Sequence, residues 1–206
     1  MLEAISLTCT RGDKTLFKEL SFQLPEGQLL YLRGHNGAGK TTLLRAVCGL
    51  TLPRSGEIHW ERQNIRDLGE EYHRHLHYLG HFNGLKDSLT GLENVRFLAA
   101  MHGDRIADAK ISDAFYQMGV EHCQDLPVKV LSQGQKRRIA LARLICSRAK
   151  FWILDEPFTA LDSDAVALLL EVIRAHVEQG GMVLLTTHQE VALDRSQVNE
   201  IFLGKR

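Results

Sequence analysis

Short apolar runs alternate along this chain with stretches of helical periodicity. Leu2–Cys9, Ser21–Leu24 and Leu29–Arg33 read as strands, the last a short apolar run that ends at a glycine-rich stretch. A helical pattern runs from Lys40 to about Gly49, where Gly49 and Pro53 stop it. Gly56–Trp60 and Leu76–Leu79 read as further strands. From about residue 82 to 148 the pattern is mostly helical, with two capping boxes, Thr90-x-x-Glu93 and Ser132-x-x-Gln135. The second opens a helix with Ile139, Ala142 and Ile145 on one face and Arg137, Arg138 and Arg148 largely elsewhere. Phe151–Leu154 is a buried-strand run that ends in Asp155 and Glu156. A helix over Ser163–Gln179, a strand over Met182–Thr186 and a last strand over Ile201–Leu203 complete the pattern. Strands alternating with helices predict an α/β fold with a mostly parallel core sheet. The N-terminal strands predict a small antiparallel layer beside it, and the helical block at 82–148 a subdomain inserted between two sheet strands.

With 206 residues the chain has the size of one domain. Its 25 basic and 25 acidic side chains balance, which argues against nucleic acid held by bulk charge; the basic cluster Lys136–Arg138 is short. No apolar run approaches the roughly 20 residues that span a bilayer; Val166–Leu170 is cut off by Glu171. Glu3 near the start argues against an export signal, so any link to a membrane is expected to go through a partner. Cys9, Cys48, Cys123 and Cys146 are widely spaced and are expected to be buried, reduced thiols.

Candidate chemistry begins where the third strand meets the first helix. Gly34, His35, Asn36, Gly37, Ala38, Gly39, Lys40 and Thr41, followed by Thr42, carry the spacing Gly-x4-Gly-Lys-Thr. Such a loop turns backbone N–H groups toward phosphate oxygens, and the helix N-terminus adds positive potential. Lys40 is expected to reach the outer phosphates and the Thr41 hydroxyl to ligate Mg²⁺. Chance produces this pattern at roughly one position in tens of thousands. Asp155 and Glu156, at the end of another apolar strand, suit two tasks: Asp155 holds Mg²⁺ through water, and Glu156 polarises the attacking water as general base. His188 follows Thr186 and Thr187 at the end of a further apolar strand, where it would reach the γ-phosphate or the lytic water.

The ordered set Gly34–Thr41, Leu131–Gln135, Phe151–Glu156, Thr159–Asp162 and His188 resembles the nucleotide-binding subunits of ABC transporters over essentially the whole chain. The resemblance implies a P-loop NTPase of ABC type, one nucleotide-binding domain over residues 1–206, that hydrolyses ATP with Mg²⁺. It implies a homodimer in which Leu131–Gln135 of one copy completes the site of the other. Ser132, at a helix N-terminus, offers a hydroxyl and backbone donors to an anion; Gly134 leaves room for the phosphate, and Asp162 lies near the seam.

The chain departs from that family in three places. Gln133 stands where the signature usually has its first glycine. The loop that usually carries an adenine-stacking aromatic has Arg11, which either stacks its guanidinium on the base or is simply solvated. His81 stands where a glutamine usually links Mg²⁺ and lytic water to the membrane partner, and its imidazole is a candidate metal ligand. With His73, His75 and His77 it forms a set read either as a metal or haem site or as a solvated face of an extended segment. The segments His81–Asn94, Asp155–Asp162 and Thr186–Gln189 most resemble the haem exporter ATPases of bacterial cytochrome c maturation. That likeness implies polytopic inner-membrane partners, an indirect link to a periplasmic haem chaperone, no nucleic acid, and a peripheral place on the cytoplasmic face of the inner membrane. The alternatives are an ATPase of another exporter (lipid, peptide or drug) and, more distantly, a soluble ABC-type machine.

Overall fold

The computed structural model describes residues 1–187 and 197–204. Strands β1 (Leu2–Arg11) and β2 (Lys14–Leu24) form an antiparallel hairpin that turns at Gly12 and Asp13, with Gly12 at φ +59°. β4 (Ser55–Trp60) pairs antiparallel with the other edge of β1, and β5 (Gln63–Asn64) pairs with β4. This layer has the order β2-β1-β4-β5. The second sheet contains β6 (Leu76–Leu79), β7 (Phe151–Asp155), β8 (Met182–Thr186), β3 (Leu29–Gly34) and β9 (Val198–Leu203), in that spatial order and all parallel.

The parallel sheet is buried on both faces, which is why its strands are continuous apolar runs rather than alternating ones. Leu30, Leu32, Ile153 and Leu184 face one core, packed with Leu43, Leu44 and Val47 of α1 (Lys40–Val47) and with Leu2, Leu7 and Trp60 of the antiparallel layer. Leu29, Tyr31, Trp152, Leu154 and Leu185 face the other. There they meet Ile139 and Leu141 of α6 (Gln133–Cys146) and Leu169 and Ile173 of α7 (Ser163–Glu178).

Between β6 and β7 the chain forms α4 (Gly91–Met101), α5 (Asp108–Gln117) and α6. Both capping boxes form: Thr90 with Glu93 opens α4, and Ser132 with Gln135 opens α6. Residues 82–90 are irregular, and the buried Asn94 ties them down. Its side chain accepts from the Lys86 N–H (2.7 Å) and donates to the carbonyls of Lys86, Leu89 and Thr90.

Three expectations from the sequence need correction. β2 starts at Lys14, not Ser21; bulges at Ser6 (φ +48°) and Glu19 (φ +50°) shift the register and break the period that would reveal it. Two short helices, α2 (Ile65–Leu68) and α3 (Glu70–His75), lead into and include histidines expected on an extended segment. His73 and His75 therefore lie on a helix rather than an extended segment, and only His77 lies on a strand. The set disperses: His73 bonds the Cys48 carbonyl (3.0 Å), His75 stacks on Trp60, and His77 is buried against His102. Among the described residues no three His, Cys, Asp or Glu side chains are grouped to hold a metal, and no helix is long and apolar enough to cross a membrane. The third correction concerns Arg137, which belongs to the site. All four cysteines are buried and unbridged.

Candidate active site

Four parallel strands end at one edge, and each delivers part of a cleft there. β3 runs into the loop Gly34–Lys40, β7 ends in Asp155, β8 ends in Thr186, and β6 leads to Gly80 and His81. The cleft holds about 440 Å³. Asn36, Gly37, Gly39, Lys40, Thr41 and Thr42 line one side; Asp155, Glu156, Thr159 and His81 line another; Arg11 and Leu16 reach in from the β1–β2 hairpin. Arg11 is thus both exposed and at the mouth of the cleft, beside an apolar neighbour.

Local sterics explain the glycines at two positions. Gly39 immediately precedes α1 at φ +103°, and a Cβ there would lie 3.0 Å from Leu16. A Cβ on Gly34 would sit 2.5 Å from the Leu203 carbonyl, so β9 leaves no room for one. Gly34, His35 and Ala38 do not line the cleft; they shape the loop behind it. The Ala38 N–H donates to the His35 carbonyl (3.1 Å), and the Lys40 ammonium donates to the carbonyls of Gly34 (2.7 Å) and His35 (3.4 Å). No acidic side chain of α1 itself sits in its first turn.

Asp155 is buried, and hydroxyl donors meet both of its carboxylate oxygens. Thr41 donates to Oδ2 (2.9 Å) and Thr186 to Oδ1 (2.6 Å). The carboxylate therefore joins the first turn of α1 to the ends of β7 and β8. Glu156 follows in left-handed backbone (φ +49°), a conformation that surrounding bonds must enforce. Its N–H donates to both the hydroxyl (3.0 Å) and the carbonyl (3.2 Å) of Thr186.

Arg137 completes this corner. The helical pattern puts it off the core face, yet it is buried, because its guanidinium finds acceptors inside the fold. It donates to the carbonyls of Pro157 (3.1 Å), Glu156 (2.8 Å) and Gly80 (3.3 Å) and to the Asn83 side chain (3.0 Å). Burial pushes its pKa down to about 10, partly countered by the carboxylates of Asp155 and Glu156. Thr186 and Arg137 have no counterpart among the sequence candidates. Thr186 had a signal, a polar residue closing an otherwise apolar strand, and it pairs with Asp155 in the sheet. Arg137 had none that set it apart from its neighbours Lys136 and Arg138.

The signature segment does not join the cleft of its own chain. Ser132 is exposed; its hydroxyl accepts from the Gln135 N–H (3.2 Å) while the Gln135 side chain accepts from the Ser132 N–H (2.9 Å). Gly134 faces the Ala160 carbonyl of the Thr159–Asp162 turn. Asp162 caps α7 through the Ala165 N–H (2.9 Å) and receives two bonds of 2.7 Å from Arg138. The Ala165 N–H first, then Arg138, hold its carboxyl below the usual range. His81 is exposed at the cleft and meets Phe82 edge-on. His188 lies outside the described residues.

Chemically, the loop suits a polyphosphate, the Thr41–Asp155 oxygens suit a hard cation, and Glu156 stands beside both. The family model for ABC transporters matches residues 17–159. The Cytochrome c biogenesis ATP-binding export protein CcmA of Nitrosomonas europaea is 48% identical over 99% of this chain and 96% of its own length. The protein of that name from Vibrio cholerae is 46% identical over 99% of each chain. A solved ATP-binding subunit of an ABC transporter superposes with a TM-score of 0.81 at 27% identity, covering 91% of this chain and 79% of that one.

Proposed function

The chain belongs to the ABC transporter family and is an ATPase of that type, and from this premise we propose that it is the ATP-hydrolysing subunit of a bacterial cytochrome c biogenesis export complex. The observation that carries the catalytic reading is the 2.9 Å contact of the Thr41 hydroxyl with the buried Asp155 carboxylate, next in sequence to Glu156. Within the Gly34–Thr42 loop, backbone N–H groups of the residues that line the cleft (Asn36, Gly37 and 39–42) would wrap the triphosphate of ATP, with the Lys40 ammonium turning to its outer phosphates. The two oxygens fit Mg²⁺, which takes one or two protein ligands and keeps several waters; Thr41 and Asp155 would hold it, with His81 across the cleft as a further neighbour. Bound there, the ion would neutralise charge on the phosphates. Glu156 would accept the proton of the attacking water, and His188 would steady that water or the γ-phosphate.

In this reading the exposed Ser132 and the half-buried Gly134 serve the nucleotide of a second copy, so two head-to-tail chains enclose two ATP molecules and Asp162 borders the seam. The whole chain acts as one nucleotide-binding domain whose helical arm spans about 82–148. It works on the cytoplasmic face of the inner membrane, bound to polytopic subunits. Their cycle serves haem export or release of a haem-loaded periplasmic chaperone.

Glu156→Gln tests the shared site. It is expected to keep ATP binding, lower turnover by roughly 10²–10⁴-fold, and elute as a dimer with ATP. A monomer at saturating ATP and high protein concentration would refute the shared site. Deleting the gene is expected to remove mature c-type cytochromes and spare b-type ones; normal c-type levels in a host without a second maturation system would refute the cytochrome assignment.

A further inference from the structure

α6 is capped by Ser132, on the surface, and the fifth residue of the helix, Arg137, is one of the few charged side chains inside the fold. The hydrogen bonds of Arg137 among the described residues reach two separate parts of the cleft. One set holds the turn that carries Glu156: the carbonyls of Glu156 (2.8 Å), Pro157 (3.1 Å) and, more weakly, Asp155 (3.5 Å). The other holds the segment around His81, through the Gly80 carbonyl (3.3 Å) and the Asn83 side chain (3.0 Å).

The first set bears on a strained residue. Glu156 sits at φ +49°, and such a conformation persists only where its peptide groups are fixed from both sides. Thr186 fixes the N–H of Glu156, and Arg137 (2.8 Å), with the longer bond from the Thr159 N–H (3.3 Å), fixes its carbonyl. Without the guanidinium, three consecutive turn carbonyls lose their shared donor. The Glu156 carbonyl then leans on the longer bond from the Thr159 N–H (3.3 Å), and the strained backbone shifts toward an ordinary region, which re-aims the carboxylate.

We propose that Arg137 is the positioning residue for Glu156, and that it couples a chain's own catalytic base to the engagement of its own signature segment. This rests on the shared-site reading for its second half. A phosphate bound at Ser132 and Gly134 belongs to the opposite nucleotide, and it loads the N-terminus of the same helix that carries Arg137 one turn later. A rigid helix transmits a shift at that end to the guanidinium, and so to the carbonyls of residues 155–157 and to the loop of His81. Each base is thereby set by the nucleotide of the other site, and turnover becomes cooperative in ATP through this side chain.

The test measures ATP turnover, in the membrane assembly that co-purifies with the chain, for wild type, Arg137→Lys and Arg137→Met. Arg137→Met keeps the stem and loses every bond; a misplaced base is expected to lower kcat about 100-fold. KM for ATP should stay within about twofold, because no phosphate contact changes, and the Hill coefficient should fall to 1. Lysine can serve one or two of the carbonyls and should lie between. Guanidinium ion added to Arg137→Ala should restore part of kcat, which a merely structural defect would not allow. ATP-driven dimerisation of the Glu156→Gln, Arg137→Met double variant checks that the fold survives; if the Met variant fails to fold, Arg137→Lys and the guanidinium rescue decide. A kcat within twofold of wild type, a rise in KM with kcat unchanged, or no rescue overturns the proposal. Failure of the shared site is distinct: wild type would show a Hill coefficient of 1 and Glu156→Gln would stay monomeric, while the kcat comparison would still read Arg137's hold on the base.

Discussion

Replacing Thr186 with valine isolates the bond that ties β8 to the carboxylate of β7. The two side chains have nearly the same shape, so the buried site keeps its volume and loses only a hydroxyl. That hydroxyl donates to Asp155 Oδ1 at 2.6 Å and accepts from the Glu156 N–H at 3.0 Å. The N–H retains the Thr186 carbonyl at 3.2 Å, and Asp155 retains the Thr41 hydroxyl at 2.9 Å, so the net loss is about one hydrogen bond to a buried charge. Such a bond contributes roughly 1.5–3 kcal/mol. The control is Thr186→Ser, which keeps the hydroxyl and loses one buried methyl, about 0.8 kcal/mol. Urea unfolding without nucleotide should therefore rank wild type, then Ser, then Val, with Val about 0.7–2 kcal/mol below Ser. If the lost bond acts fully on the transition state, Mg²⁺-dependent ATP turnover of the Val variant falls by roughly 10–150-fold, while Ser stays near wild type. A Val variant as stable and active as Ser would refute the view that this hydroxyl, rather than packing, positions Asp155.

Two further predictions concern stability. Burial against Trp152, stacked at 3.7 Å, pushes the His176 imidazole down to about 4. The unfolded chain therefore binds more protons below about pH 6.5, and stability present at neutral pH is lost between about 6.5 and 4. Partial solvent access limits the loss to about 1–2 kcal/mol. His176→Phe should keep the stacking and flatten that part of the slope in urea titrations at pH 7.5 and 5; an unchanged slope would assign it elsewhere. Asn94→Leu strands the Lys86 N–H, while the carbonyls of residues 86, 89 and 90 keep the N–H groups of Leu89, Val128 and residue 94; it should cost about 1–3 kcal/mol. Limited proteolysis should then cut first between residues 82 and 90, and a variant as resistant as wild type would count against Asn94 as the anchor of that loop.

Much of the site was legible because its chemistry is local in sequence. Gly39 before the helix, Lys40 and Thr41 in its first turn, and Asp155 at a strand end are each dictated by neighbours within a few residues. The burial of the parallel strands on both faces was legible for the same reason: Phe151–Leu154 and Met182–Leu185 are unbroken apolar runs. The full length of β2 was not, since bulges at Ser6 and Glu19 shift its phase, and no period detects a strand that changes face partway.

The site residues that escaped notice failed for a different reason. Arg137 acts on positions 54 to 57 residues upstream and 18 to 20 residues downstream of it. Nothing in its own helix distinguishes it from Arg138, one residue on, which turns outward to the Met118 carbonyl and to Asp162. The difference is made by where β6 and β7 end, because four carbonyls turned inward at those ends create a place for a cation. Helical periodicity reports which residues can avoid water at no cost; it carries no information about backbone acceptors supplied by other elements. A guanidinium enters the interior where such acceptors outweigh its desolvation, and here they belong to the turn of Glu156 and the loop of His81. The same balance explains why the buried cation and the strained base occur together. The carbonyls that Glu156 and its neighbours turn inward would lose their shared charged donor without Arg137, and Arg137, without them, would be a buried charge deprived of its main acceptors.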